Sequence, residues 1–216
     1  TEATNAIEDS SGRLLGLLEV DSGRVAVVRL LANGSLDSSF GEAGRSEFFS
    51  LGQTSIVLQE DGKILVAGYV LGNVLPQIRV TRLTTSGVVD PTFGSNGSKI
   101  IGSFPGKLMG SASRLLLRYD SDNSFIYLGF HSPTALPSFH AYNTFTFMSL
   151  TRDGQFRYEW ARDGSREVAP WTAGGSASSI LLDIQVFNDG SLIAVGSSFG
   201  ANGNLQITLI KLTPSG

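Results

Sequence analysis

An internal repeat is the feature that most constrains the fold of this chain. The segment LDSSFGEAG at residues 36–44 is echoed by VDPTFGSNG at residues 89–97, and a turn glycine anchors the repeat in four places. Five columns of residues recur in these four places: the anchors themselves and the residues four, five, seven and nine places before them. In that order the columns are Gly34, Gly87, Gly154 and Gly216; Leu30, Leu83, Leu150 and Leu212; Arg29, Arg82, Ser149 and Lys211; Val27, Val80, Phe147 and Leu209; Val25, Ile78, Phe145 and Ile207. Self-similarity at a period of about sixty residues predicts one supersecondary unit copied in tandem.

A second set of columns predicts a hairpin turn in each repeat unit. An apolar residue follows each turn position two places later, in the pairs Gly12 and Leu14, Gly62 and Ile64, Asn123 and Phe125, and Gly190 and Leu192. Glycine and asparagine tolerate the positive φ of a tight hairpin turn. The segments between turns alternate or run apolar over five to eight residues, as strands do, and none has the period of an amphipathic helix. We therefore expect an all-β chain: a β-propeller or propeller-like array of about four blades, each an antiparallel sheet of three to four strands.

The repeat divides a single domain, residues 1–216, into units at approximately 4–53, 54–114, 115–178 and 179–216. The last unit is incomplete, because the sequence stops at Gly216, where the other units continue with a segment like LDxxFG. An unpaired strand edge invites association. We expect the N-terminal residues, a second copy in a homo-oligomer, or the remainder of a longer chain to complete this unit.

Composition excludes several classes of partner and cofactor. The net charge is −3 and the sixteen basic residues are scattered, so no surface for nucleic acid is indicated. No apolar run is long enough for membrane insertion. The chain lacks cysteine, which removes disulfides and thiolate metal sites. Because no nucleophile, phosphate-loop or dinucleotide motif is present, we expect no cofactor, no metal and no catalytic residues.

The strand and turn motifs resemble the delta-60 repeat. The matching segments are QEDGKILVAG at residues 59–68, IRVTRLTTSGVVDPTFGSNG at residues 78–97, and related stretches at residues 23–44, 188–197 and 207–216. The resemblance implies a β-propeller-like array in a bacterial secreted or cell-surface protein, and hence an extracellular or cell-surface location. It implies no catalytic residues, since none is established for that family.

The third repeat unit departs most from the pattern. A tryptophan fills the slot that holds phenylalanine in the first two units, an arginine replaces an aspartate, and the loop at residues 131–143 is longer. Function in repeat proteins concentrates in loops that break the pattern. We predict a site where aromatic faces bind a carbohydrate or protein ligand, formed by His131, His140, Tyr142, Trp160 and Trp171. The alternative for these side chains is local packing.

Two charged columns have both structural and functional interpretations. Asp37 and Asp90 recur at one position, where they either surround a cation or, as we expect, cap a turn through their own backbone. Arg29, Arg82 and Lys211 form a basic column that we expect to lie over apolar surface.

These observations favour a non-enzymatic extracellular binding or scaffold module over an enzyme. One alternative is a hydrolase or lyase that acts on polysaccharide from a propeller face. It requires two carboxylates within about 5 to 10 Å of each other, beside His131 or His140. The other alternative is a structural subunit that assembles through its incomplete blade.

Overall fold

Four antiparallel β-sheets account for the regular structure in the described part of the chain. The computed structural model describes residues 3–21, 23–50, 54–70, 77–102, 115–120, 125–134, 142–161, 164–169, 179–199 and 204–216. These residues contain fifteen strands and no helix, which confirms the predicted all-β, propeller-like fold with sheets of three to four strands. No helical segment that could cross a membrane occurs among them.

Each sheet is one blade, and its strands are hydrogen bonded in sequence order. Blade 1 contains β1 (Ala3–Glu8), β2 (Leu14–Asp21), β3 (Arg24–Leu30) and β4 (Arg45–Phe49); blade 2 contains β5 (Thr54–Leu58), β6 (Ile64–Val70), β7 (Gln77–Leu83) and β8 (Ser98–Ile101). Blade 3 contains β9 (Leu115–Tyr119), β10 (Phe125–Thr134), β11 (Tyr142–Thr151) and β12 (Ser165–Val168); blade 4 contains β13 (Ser179–Val186), β14 (Leu192–Phe199) and β15 (Leu205–Leu212). The chain forms two compact units, one with blades 1 and 2 and one with blades 3 and 4.

Every blade has two faces, because successive side chains of a strand point to opposite sides of the sheet. We call the forward face the one that carries, in order of blades, Val27, Val80, Phe147 and Leu209. We call the rear face the one that carries Leu30, Leu83, Leu150 and Leu212. Each of these leucines lies at or next to the end of its blade's third strand, so the repeat columns correspond to equivalent positions in the four blades.

The core of each compact unit lies where the forward face of one blade packs on the rear face of the next. In the first unit the joined residues are Leu15, Leu17, Val27 and Phe40 of blade 1 and Ile56, Ile64, Val66 and Leu83 of blade 2. In the second they are Leu116, Tyr127, Phe145, Phe147 and Trp160 of blade 3 and Leu181, Ile184, Val186, Leu192, Ala194 and Leu212 of blade 4. The same forward-to-rear junction is therefore present in each of the two compact units.

The N-terminal strand completes the first blade. Strand β1 pairs antiparallel with β2, with Ile7 opposite Leu15. The backbone of Ala3–Glu8 is therefore hydrogen bonded within the sheet of blade 1. The expectation that N-terminal residues complete the last blade is wrong for this strand.

The register of blade 3 differs by one residue from the sequence alignment. In blade 1 the turn is closed by a hydrogen bond from Asp9 N to Arg13 O, whereas in blade 3 the bond runs from Asp120 N to Phe125 O. The longer turn moves Phe125 to the forward face. Ile126 takes the rear-face position instead and pairs with Leu150.

Candidate assembly site on the fourth blade

A buried arginine–aspartate pair fastens the segment that follows the third strand of blade 1. Arg29 Nε donates to Asp37 Oδ2 at 2.8 Å, and the guanidinium carbon lies 4.6 Å from the centroid of the Phe40 ring. Asp37 Oδ1 accepts hydrogen bonds from the backbone amide and the hydroxyl of Ser39. The Ser39 hydroxyl, followed by its amide and Arg29, holds the pKa of Asp37 below its ordinary value. The predicted turn cap is confirmed, and Arg29 lies over a ring as expected, but its ion pair was not predicted.

Blade 2 repeats this arrangement. Arg82 Nε donates to Asp90 Oδ2 at 2.8 Å, and the guanidinium carbon lies 5.0 Å from the centroid of the Phe93 ring. Lys63 Nζ lies 3.0 Å from the same carboxylate oxygen. Burial alone would raise the pKa of Asp90, but hydrogen bonds from Thr92 and Lys63 and the charge of Arg82 hold it below its ordinary value. The carboxylate is thus balanced by cationic side chains.

Blade 3 keeps the backbone geometry and changes the side chains. Arg157 N donates to Ser149 O at 3.1 Å, the same backbone bond that precedes the aromatic slot in the first two blades. The Arg157 guanidinium carbon lies 3.7 Å from the centroid of the Phe125 ring, and Nη1 donates to the Tyr127 hydroxyl at 3.3 Å. Trp160 packs edge-on against Tyr127 with ring centroids 5.8 Å apart. In blade 3 this cation–π contact thus takes the place of the buried arginine–aspartate pair, and Arg157 pairs instead with the exposed Glu159, at 3.1 Å.

The aromatic slot is the repeat position held by Phe40, Phe93 and Trp160. Next to it, a backbone hydrogen bond that we call the clamp joins the two blades of each described junction. Gly41 N donates to Ser86 O at 2.7 Å, which joins blade 1 to the turn of blade 2. Ala161 N donates to Ser215 O at 2.6 Å, which joins blade 3 to the turn of blade 4. The aromatic slot of one blade and the turn of the next thus form a recurring contact.

The turn glycines show which blades receive this clamp. A Cβ atom placed on Gly87 would lie 2.8 Å from the Phe40 ring, and one on Gly216 would lie 2.5 Å from the Cβ of Ala161. A Cβ atom on Gly34 would meet nothing within 4 Å. The turns of blades 2 and 4 are therefore covered, whereas the turn of blade 1 is open.

Blade 4 exposes the face that the other blades bury. In the column of Val27 the members in blades 1 to 3 are fully buried, whereas Leu209 is 72% exposed. In the column of Val25 the other members are also buried, whereas Ile207 is 82% exposed. Leu205, on the same side of β15, is 65% exposed. Among the described residues, these three side chains therefore form an exposed apolar surface on the forward face of blade 4.

The outer edge of β15 is the second unusual feature of blade 4. The third strands of the other blades, β3, β7 and β11, each pair with a fourth strand. Strand β15 pairs with β14, and the sheet holds three strands in the part of the chain that the structure describes. A strand edge of this kind offers backbone donors and acceptors to an added strand.

The residues predicted to bind a ligand lie in different settings. Trp160 is fully buried in the core of the second compact unit and presents no face to a ligand; its place in the phenylalanine column was the signal for this. His131 and Tyr142 belong to the paired strands β10 and β11, and their side chains are outside the description. His140 and Trp171 lie outside the described residues. For these four residues the carbohydrate or protein site stays a prediction.

Several carboxylates outside the aspartate column are held in ion pairs. Asp183 accepts from Arg118 at 2.6 Å, and Glu47 lies 2.9 Å from Arg24 and 3.1 Å from Arg45. Within the described ranges, no three histidine, aspartate or glutamate side chains converge as metal ligands would. These pairs balance charge on the blade surface.

The chain was compared with known families and proteins. A family profile described as a domain of unknown function (DUF5122), beta-propeller, matches residues 19–40 and 59–93. A search of the curated proteins found no match.

Several solved structures are similar to this chain at low identity. The native arabinanase of Bacillus subtilis is 12% identical over 96% of this chain and 72% of its own, with a TM-score of 0.48. An α-L-arabinanase mutant of Cellvibrio cellulosa is 11% identical over 96% of this chain and 71% of its own, with a TM-score of 0.47. A GH43 β-1,3-galactosidase is 7% identical over 95% of this chain, which spans only 41% of that protein, with a TM-score of 0.45.

The names of these structures correct the expectation of a non-enzymatic binding or scaffold module. They are glycoside hydrolases, and they match the alternative of a polysaccharide-acting hydrolase better than the expected module. Identities of 7 to 12% and TM-scores under 0.5 transfer no activity to this chain. Taken with the four antiparallel sheets, the family profile shows that this chain is built from β-propeller repeats.

Proposed function

We propose that this chain acts in assembly: the forward face of blade 4 and the outer edge of β15 bind a further blade of the same repeat. The observation that supports the proposal is the exposure of Ile207 and Leu209 in columns that every other blade buries. Large apolar side chains that cluster on one exposed face are typical of a protein interaction surface. Removing each of them from water would contribute about 1.5 to 3 kcal/mol.

The chemistry of the partner follows from the two junctions inside the chain. In both junctions a forward face meets a rear face composed mainly of leucine, isoleucine and valine side chains. The partner blade therefore offers an apolar rear face. The segment that leads to it supplies an antiparallel strand for β15, because main-chain hydrogen bonds to a sheet edge add affinity.

We also propose that the repeats are delta-60 repeats of a bacterial secreted or cell-surface protein. The support is the motif at residues 59–68 and 78–97, which the β-propeller family profile overlaps at residues 59–93. The extracellular location rests on that resemblance alone.

An extra blade added to the chain tests the assembly proposal. A copy of residues 35–101 is joined after Gly216, which supplies a fourth strand for blade 4 and a complete blade after it. We expect the amides of β15 to become protected from hydrogen exchange in the extended chain. We also expect Ile207→Asp to destabilise the extended chain by about 2 to 4 kcal/mol, because it buries a charge. In the dilute original chain the same substitution should change stability by less than about 0.5 kcal/mol.

Gln206→Asp is the matched control, because Gln206 is also exposed on β15 but points to the rear face. We expect it to change neither chain appreciably in urea unfolding. If Ile207→Asp has the same small effect in both chains, or if β15 stays unprotected in the extended chain, the proposed function is wrong.

A further inference from the structure

We propose that Asn33 is a site of self-modification, at which attack by the backbone nitrogen of Gly34 converts the side-chain amide into a carboxylate. This inference is independent of the proposed assembly. The same tripeptide, Asn-Gly-Ser, occurs at residues 33–35 in blade 1 and at residues 96–98 in blade 2. Both copies lie in the first compact unit, so the second copy is an internal reference for the first.

The first tripeptide lies in an open turn. Asn33, Gly34 and Ser35 are all exposed, and a Cβ atom placed on Gly34 would meet nothing within 4 Å. Gly34 N donates to Leu31 O at 2.8 Å, and this hydrogen bond has to open before the nitrogen reacts. An exposed backbone hydrogen bond opens locally at low free-energy cost. The attacking nitrogen is therefore reached without moving any packed side chain.

Two hydrogen-bond donors already surround the oxygen on which negative charge would develop. Asn33 Oδ1 accepts from the backbone amide of Ser35 at 3.0 Å and from the Ser35 hydroxyl at 2.7 Å. The first of these bonds closes a small ring that contains both the Asn33 Cγ atom and the Gly34 nitrogen. Attack of this nitrogen on Cγ turns Oδ1 into an oxyanion, and donors at such distances bind an oxyanion more strongly than a neutral carbonyl oxygen.

The reaction needs no reagent other than water. The Gly34 nitrogen loses its proton to water or hydroxide and forms a bond to Asn33 Cγ. The bond between Cγ and Nδ2 then breaks, and ammonia leaves with a proton from water. Water opens the resulting cyclic imide at either of its carbonyl carbons and returns a proton to the Gly34 nitrogen. The products are aspartate and isoaspartate; one water is consumed, one ammonia is released, and nothing is oxidised or reduced.

The aspartate product suits the geometry of this turn. In the repeat, blade 3 has Asp153 and Gly154 where blade 1 has Asn33 and Gly34. Both turns are closed by the equivalent backbone hydrogen bond, at 2.8 Å in each. Isoaspartate instead adds an atom to the main chain and shifts the residues that this bond joins. We therefore expect the aspartate form to keep the turn of blade 1 and the isoaspartate form to lose it.

The second tripeptide lies in a packed setting. Asn96 is exposed, but Gly97 is buried, and a Cβ atom placed on it would clash with the Val89 side chain. The Ser98 hydroxyl is paired with the Thr81 hydroxyl at 2.9 Å. Attack on Asn96 would therefore require Gly97 to leave a packed site, and the serine hydroxyl of this copy is engaged elsewhere.

Peptide mapping by mass spectrometry measures both sites in one sample. Trypsin releases residues 30–45 and residues 83–99, and each peptide contains a single asparagine and no glutamine, so its mass gain reports that asparagine alone. The chain is incubated at mildly alkaline pH, either folded or in concentrated urea. In urea we expect equal rates, because the tripeptides are identical. In the folded chain we expect Asn33 to react about tenfold faster than Asn96 or more, since local opening at Gly97 is costly.

Ser35→Ala tests the role of the hydroxyl donor, because it leaves the Asn-Gly pair and the backbone amide of residue 35 in place. We expect it to slow the reaction of Asn33 about 3- to 10-fold in the folded chain and to leave the rate in urea unchanged. Ser98→Ala is the matched control and should not slow the reaction of Asn96. Equal rates at the two asparagines of the folded chain would overturn the inference, as would a rate at Asn33 that Ser35→Ala leaves unchanged or raises.

Discussion

Val27 in blade 1 and Leu209 in blade 4 hold the same column of the repeat and the same position on the forward face. Val27 is fully buried, whereas Leu209 is 72% exposed. The rear face of blade 2 covers Val27 in the core of the first compact unit. The repeat therefore determines which side chains can be buried, and the neighbouring blade decides whether they are.

This difference has a consequence for stability. In a tandem array the free energy of unfolding is approximately a sum of contributions from single repeats and from the interfaces between neighbours. The forward face of blade 1 packs on blade 2 and so contributes interface free energy. The same columns in blade 4 are exposed and do not contribute it. Substitutions at matched positions should thus have very different effects.

The largest expected effect comes from a charge placed in this column. Val27→Asp should destabilise the first compact unit by about 4 kcal/mol or more, because it buries an unpaired carboxylate in the core. Leu209→Asp in the dilute monomer should change stability by less than about 0.5 kcal/mol, since the side chain is already in water. Urea unfolding of the two variants measures both values. Equal losses of stability would mean that the forward faces of blades 1 and 4 are equally exposed in solution.

A smaller effect is expected at the turns. Gly34→Ala and Gly87→Ala impose the same backbone strain, because the φ angles are +83° and +81°. Gly34→Ala should cost about 1 kcal/mol, the ordinary cost of a left-handed alanine. Gly87→Ala should cost about 2 to 3 kcal/mol, because its Cβ would also press on the Phe40 ring and on Gly41 N.

Thermal unfolding of the first compact unit can distinguish the stability losses caused by these two substitutions. Both glycines lie in that unit, so each substitution is compared with the same starting protein. Equal costs would show that the turn of blade 2 is as open as that of blade 1, and would remove one of the arguments for the clamp.

The sheets could be predicted from sequence because their signals are local. Turn glycines and apolar columns such as those of Leu30 and Val27 need only one strand and its turn to be recognised. The register of blade 3 could not be predicted, since one extra residue after Asp120 shifts Phe125 to the other face. A turn of unusual length leaves the hydrophobic pattern intact, and only the strand pairing reveals it.

The candidate site could not be predicted from its residues. Ile207 and Leu209 fit their columns as well as the members that are buried, so their sequence gives no sign of exposure. Conversely, Trp160 stood out as a departure from the pattern and is a core residue. Exposure of a repeat residue depends on the next blade, which lies far away in sequence, whereas residue type is fixed by the blade itself.

The last expected effect concerns the buried ion pair of blade 2. The pKa of Asp90 is held below its ordinary value, so the ionised form stabilises the fold above pH 4 or so, and this contribution is lost as the pH falls below the unfolded-state pKa of about 3.9 towards the folded one. Asp90→Asn should cost about 1 to 2 kcal/mol at neutral pH, because it weakens the charged contacts with Arg82 and Lys63. Urea unfolding at a series of pH values should show the gap between variant and original chain narrowing in acid. Arg157→Lys in the equivalent slot of blade 3 is the control, since it leaves Asp90 and its partners unchanged, and the stability gap between this variant and the original chain should stay constant over the same range. A gap for Asp90→Asn that also stays constant would mean that Asp90 contributes through shape and hydrogen bonding rather than through its charge.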